Sequence, residues 1–185
     1  MYNIAIISSS VRIGRASHRL ALFFKKYITE NGLAQVDFID LAECAFPIFE
    51  ERFEMLENPA ENEKEFANRI RKAEGVLIVT PEYNGGYPAS LKNIVDFLTL
   101  DWKRKPVAIA TASGGPFAAS QVLTSLQFSL WKIKALTVAS LFQVPHIEES
   151  YDENGVPANP GDSEKRARVF MEDFIWMMEA VRRMK

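Results

Sequence analysis

The sequence predicts an α/β domain: a doubly wound, five-stranded parallel sheet with helices on both faces. Three observations predict it. Short runs rich in Ile, Val and Ala alternate with segments whose apolar residues recur at helical spacing. The strand runs are apolar at nearly every position, as suits strands covered on both faces. A length of 185 residues fits one domain, taken as residues 1–185. Right-handed crossovers then leave a doubly wound sheet.

In chain order, residues 3–9 read as a buried strand by their isoleucines, Ile4, Ile6 and Ile7. Residues 15–31 read as a helix with Leu20, Phe23, Phe24 and Tyr27 on one face, ended by Gly32. A second strand covers residues 36–41. A charged helix spans 61–72, and a buried strand, Val76-Leu77-Ile78-Val79, lies within 75–80. Leu91, Ile94, Val95 and Leu98 mark a helix from about Ala89. Residues 106–111 form the fourth strand, 118–131 a helix and 135–140 the fifth strand. The last helix carries Phe170, Phe174, Met177, Met178 and Val181 on one side. Two segments, 42–60 and 144–163, fall outside the rhythm, and loops of that length in a compact domain tend to be functional or interfacial.

Composition narrows the partners. Lys and Arg number 22 against 24 Asp and Glu, a net charge of −2. The basic clusters Lys103-Arg104-Lys105 and Arg182-Arg183 read as a solvated loop and a helix end. That balance predicts no nucleic-acid partner. No run of about 18 apolar residues predicts a membrane span, and the N-terminal apolar run reads as a strand, not a signal peptide. The single cysteine, Cys44, reads as a small hydrophobe and points to a cytoplasmic protein. His18 and His146 lack partners at ligand spacing, which predicts no metal. No Gly-x-Ser-x-Gly elbow suggests a serine hydrolase.

In an open doubly wound sheet, ligands bind beyond the carboxyl ends of the strands. Three of those ends stand out. After the first strand, the run from Ser8 to His18 supplies hydroxyls, Arg12, Arg15 and backbone N–H groups at a helix start, which together suit an anion. The same run also reads as a Ser-rich helix cap. After the third strand, Pro81-Glu82-Tyr83-Asn84-Gly85-Gly86-Tyr87-Pro88 pairs two tyrosines with a flexible Asn-Gly-Gly and suits a flat aromatic ring. After the fourth, Ser113-Gly114-Gly115-Pro116 offers N–H groups, or is an ordinary loop.

These residues resemble the NADPH-dependent FMN reductase family, flavodoxin-like flavoproteins that include quinone and chromate reductases. The most specific piece is the run from Pro81 to Asn93, similar to that family's Pro-Glu-Tyr-Asn-Gly-x-x-Pro-x-x-Leu-Lys-Asn. Ser10-x-Arg12 with Ser17 resembles its phosphate loop, and Cys44-Ala45-Phe46-Pro47-Ile48-Phe49 its loop after the second strand. The resemblance implies strand order 2-1-3-4-5 with FMN at the switch between the first and third strands, as in flavodoxin. By position, Ser10, Arg12, Ser17 and His18 would hold the phosphate, with Arg15 beside them. Pro81, Glu82, Tyr83, Asn84, Gly85 and Gly86 would line the ring and ribityl chain, and Ser113, Gly114 and Gly115 the pyrimidine edge. The sequence departs from the family at His18, where Asn is frequent, and at Ala118-Ala119, where a Gly-Gly pair is usual.

The resemblance further implies a ping-pong reductase that takes hydride from NADPH or NADH and reduces a quinone or similar small-molecule acceptor. The cofactor carries the chemistry, so no catalytic side chain is expected. Two rivals share the fold: a flavodoxin-type electron carrier and a non-enzymatic interaction module. A carrier is expected to bear a more acidic surface than a charge of −2 and a phosphate loop without arginine. The apolar content of residues 117–131 and the long 144–163 segment suggest a homodimer or homotetramer, with that segment covering a partner's site.

Overall fold

The structure is a computed structural model and describes residues 1–44 and 46–184. Five strands, β1 (Tyr2–Ser8), β2 (Ala34–Asp40), β3 (Gly75–Thr80), β4 (Pro106–Ala112) and β5 (Leu136–Val144), form one sheet in the order β2-β1-β3-β4-β5. Every pairing is parallel. The helices are α1 (Ser17–Glu30), α2 (Glu61–Lys72), α3 (Ala89–Phe97), α4 (Gln121–Lys132), the single turn α5 (Ile147–Ser150) and α6 (Pro160–Arg183).

Strand alternation sorts the core. Ile4 and Ile6 of β1, Leu77 and Val79 of β3, and Ala108 and Ala110 of β4 face one side, which α1 and α6 cover with Leu20, Phe24, Phe170 and Phe174. Ala5 and Ile7, Val76 and Ile78, Val107 and Ile109 face the other, beneath α2, α3 and α4. The three inner strands thus spend both faces on burial, which is why their sequences read as continuous rather than alternating, while the edge strands β2 and β5 keep partly exposed positions. A fully buried Leu, Ile or Phe contributes about 1.5–3 kcal/mol, so the two layers are the main source of stability.

Several element bounds differ from the sequence reading. The helix expected from Ala118 starts at Gln121, because Ala118 (φ 51°) and Ala119 (φ 55°) are left-handed. β5 runs on to Val144. The segment expected to be irregular over 144–163 contains α5 and the start of α6, whose first turn is set by Pro160 and by Asn159 Oδ1 accepting from the Asp162 N–H. That segment folds onto its own chain: Tyr151 and Ile147 are buried, and Arg19 Nη1 donates to the Tyr151 carbonyl at 2.9 Å. At Gly155 (φ 76°) a Cβ would sit 2.6 Å from the backbone of α1. Lys105, read as part of a solvated loop, instead donates to the carbonyls of Ile70 and Ala73 at the C-terminus of α2.

Candidate functional site

β1 and β3 lie side by side, while the chain leaves them in opposite directions across the sheet. The switch point thus falls between the first and third strands, where the sequence placed it. Ser8, Ser9 and Ser10 leave the end of β1 fully buried. No acceptor among the described residues takes the N–H groups of Ile13, Gly14, Ala16 or Ser17. The Ser9 hydroxyl is buried without a partner. Ser17 and His18 open α1, whose first turn holds no acidic residue. Arg12 has no ion-pair partner among the described residues. Unused donors, one free cation and a helix start suit a phosphate ester.

Arg15 is placed differently from expectation. Its guanidinium forms a two-pronged pair with the buried Asp40 carboxylate at the end of β2, and Nη1 also donates to the Ser10 carbonyl at 2.9 Å. Its charge is therefore answered from within the protein, and it shapes the loop rather than facing out of it. Burial by itself raises the Asp40 carboxyl. The hydrogen bonds from Arg15 and the Ala42 N–H, with the charges of Arg15 and His18, outweigh that and hold it below the usual carboxylate range. His18 Nδ1 lies 3.0 Å from Ser8 Oγ and 3.5 Å from Asp40, with its ring edge-on to Phe38. Burial, then the charge of Arg15, push the imidazole below its ordinary range.

The loop after β3 is joined to this seat. Tyr83 Oη is 2.6 Å from Ser10 Oγ. Tyr83 and Gly86 exchange both backbone hydrogen bonds, and between them Asn84 (φ 53°) and Gly85 (φ 79°) are both left-handed, which is the type I′ turn that Asn-Gly favours. Pro81 and Pro88 bracket the loop as the sequence suggested. Glu82 does something the sequence reading missed: its Oε2 accepts the N–H groups of Gln121 (2.9 Å) and Val122 (3.0 Å), capping α4 from a neighbouring loop. An acidic residue one strand upstream of a helix with no acidic first turn is a signal only tertiary structure makes readable. After β4, Ser113 Oγ donates to the Gly115 carbonyl, and a Cβ at Gly114 or Gly115 would meet nothing within 4 Å, leaving open space above the loop.

The structure thus brings Ser10, Ser17, His18, Tyr83, Asn84 and Gly85 to the switch point from two loops, with Ser113 and its glycines at the adjacent strand end. A cavity of about 480 Å³ lies beside this group. It shares only Val11 with the β1–α1 loop and is otherwise walled by residues such as Leu41, Cys44, Phe46, Ile48 and Ile94. Of the 44–49 loop, Ala45 lies outside the described residues. Cys44 is half-buried, and burial pushes its thiol up, away from the reactive thiolate. Among the described residues no three ligating side chains gather as a metal site would require, and no helix is long and apolar enough to cross a membrane.

Fold and site together define a doubly wound α/β protein with a candidate phosphate seat at its switch point. The NADPH-dependent FMN reductase family matches residues 2–149, and the chain belongs to that family. It is 33% identical over 125 residues to the NAD(P)H-dependent FMN reductase LOT6 of Saccharomyces cerevisiae, covering 60% of this chain and 65% of that protein. It is 31% identical over 121 residues to a quinone reductase of Pseudomonas putida, covering 62% of each. The matched segments therefore span slightly under two thirds of these relatives. In fold it is similar to FerB, a flavoenzyme NAD(P)H:(acceptor) oxidoreductase of Paracoccus denitrificans, with a TM-score of 0.79 at 22% identity, covering 97% of this chain and 98% of that one.

Proposed function

We propose that this protein is an FMN-dependent NAD(P)H oxidoreductase that reduces a quinone or similar small acceptor, the two substrates using one site in turn. The observation that carries the reading is the 2.6 Å link between Ser10 and Tyr83. It ties a loop of unused N–H donors to an Asn-Gly turn fit to lie against a flat ring, at the one place in the fold where the strand order reverses. FMN bound there would supply hydride acceptance and donation.

The chain's own residues bind and orient. Arg12 and the N–H groups of residues 13–17 hold the phosphate, with the Ser10 and Ser17 hydroxyls beside them. Arg15, fixed by Asp40, keeps the loop in shape through the Ser10 carbonyl. The Tyr83–Gly86 turn presents backbone to the ring and ribityl chain, and the open space above Gly114 and Gly115 admits the pyrimidine edge. No side chain is assigned as acid, base or nucleophile. A quinone is the favoured acceptor because a relative bears that activity in its name, and the family's name favours NADPH as donor.

A second copy is proposed to pack on α4, where the Phe128 and Trp131 rings lie against each other in a tilted pair although both are largely exposed. The lone half-buried thiol fits a cytoplasmic setting. A light-scattering mass of one 21.0 kDa chain removes the dimer.

The purified protein should be yellow and should oxidise NADPH when a soluble naphthoquinone is supplied. Flavin retained without NADPH turnover identifies an electron carrier, and no flavin binding identifies an interaction module. Arg12→Ala should weaken FMN binding by about 1.5–3 kcal/mol, the worth of a charge-assisted hydrogen bond, without altering stability. Unchanged affinity places the phosphate elsewhere.

A further inference from the structure

Charge accounting at the phosphate seat leaves a deficit. A phosphate monoester carries a charge of about −1.5 to −2 at neutral pH. Of the loop's two arginines, Arg15 is cancelled by Asp40, whose carboxylate it grips with both nitrogens. Arg12 alone is left to answer the ligand. The third group able to carry positive charge is His18, in the first turn of α1.

His18 is built into the seat, not laid against it. Its Nδ1 is engaged by Ser8 Oγ at the end of β1 and faces Asp40 from β2, and Phe38 packs on the ring. Nε2 has no hydrogen-bond partner among the described residues. The charged groups facing it are Arg15 from the loop, Asp40 from β2, Glu43 from the segment after β2 and Lys25 from α1. A cation at this position also opposes the positive end of the α1 dipole until an anion is present. Without a ligand, burial first and then the neighbouring Arg15 guanidinium favour the neutral ring and hold its pKa below the ordinary value, and the helix dipole acts in the same sense. A phosphate beside the same turn reverses that balance.

We propose that His18 takes up a proton when a phosphate monoester enters the loop, so that FMN binding is proton-linked and tightens as the pH falls. This rests on the loop being the phosphate seat, and it adds that His18 supplies further positive charge on demand. The proton comes from solvent, and Asp40, held ionised by Arg15, does not take it.

The test is calorimetric titration of the flavin-free full chain with FMN and with riboflavin, at pH 7.5, in buffers of different ionisation enthalpy. FMN should bring uptake of about one proton, and riboflavin, which lacks the phosphate, none. FMN affinity should fall toward about tenfold per pH unit as the pH rises through this range. In His18→Asn, FMN should still bind, but with no proton uptake and a flat pH dependence. Uptake that persists in His18→Asn places the proton on the phosphate and overturns the proposal. So does FMN binding without uptake in the unaltered protein, a result that needs no variant to fold. Failure of the underlying seat is separately visible, as FMN affinity that does not respond to Arg12→Ala.

Discussion

Two loops of the site, after β1 and after β4, are held in opposite ways. The β1–α1 loop is wired by side chains from other elements: Arg15 to Asp40 of β2, Ser10 to Tyr83, and Ser90 of α3 to the Ser9 carbonyl at 2.6 Å. Its one left-handed residue is Gly14. The β4–α4 loop relies more on its backbone, through Ser113 N–H to Val144, Ile147 N–H to Ser113 and His146 N–H to Gly115, with Thr111 Oγ1 donating to the Ala118 carbonyl and Glu82 capping its far end. It also places two alanines in a conformation that favours glycine. The first loop is set by charge and by side chains reaching in from other elements. The second carries backbone strain at Ala118 and Ala119 and exposes Phe117.

The contrast breaks most decisively at Asp40. Asp40→Asn strips the counter-charge from Arg15 and should destabilise the fold by about 3 kcal/mol, the lower end for a broken buried pair because Arg15 keeps some solvent contact. A denaturant midpoint corresponding to less than about 1 kcal/mol would mean the loop does not depend on the pair. Glu82→Ala removes the acceptor for two N–H groups at the start of α4 and should cost about 1–2 kcal/mol. Amide exchange should then rise at residues 120–123 while the β1–α1 loop stays protected, and uniform loosening would erase the distinction. Substituting Ala118→Gly and Ala119→Gly together should stabilise the protein by about 1 kcal/mol, relief of left-handed strain exceeding the added chain entropy. A lower thermal midpoint in that variant would show the strain is not there.

The smallest effect is on pH dependence. His18 in the flavin-free protein titrates below its ordinary range, so the unfolded chain binds more protons in that window and stability falls as pH drops from neutral. The depressed Asp40 carboxyl acts in the same direction, at pH values below the ordinary carboxylate range. His18→Asn should flatten the first, mildly acidic phase in thermal melts and leave the second, which Asp40→Asn should remove.

The sheet was legible because its inner strands, covered on both sides, must be apolar throughout, and helices α2 and α3 begin where the charge pattern and the spacing of Leu91, Ile94 and Val95 placed them. The Asn84-Gly85 turn was legible too, since few residue pairs adopt two successive left-handed conformations. The pairing of Arg15 was not legible, because its type alone says cation and only the position of β2 reveals that Asp40 stands opposite. Nor was the capping of α4 by Glu82, whose partners lie 39 and 40 residues along the chain.

The sequence by itself determined the layer architecture and the loops at the strand ends, while the strand order was implied by the family resemblance. The first two depend on local periodicity and turn chemistry, which act over a few residues. Tertiary structure decided which charges remain available to a ligand. Arg12 and Arg15 are equal in sequence, but one has no ion-pair partner among the described residues and the other is locked to a buried carboxylate from a separate strand. Electrostatic pairing is set by distances in space, and Arg15 and Asp40 are 25 residues apart along the chain.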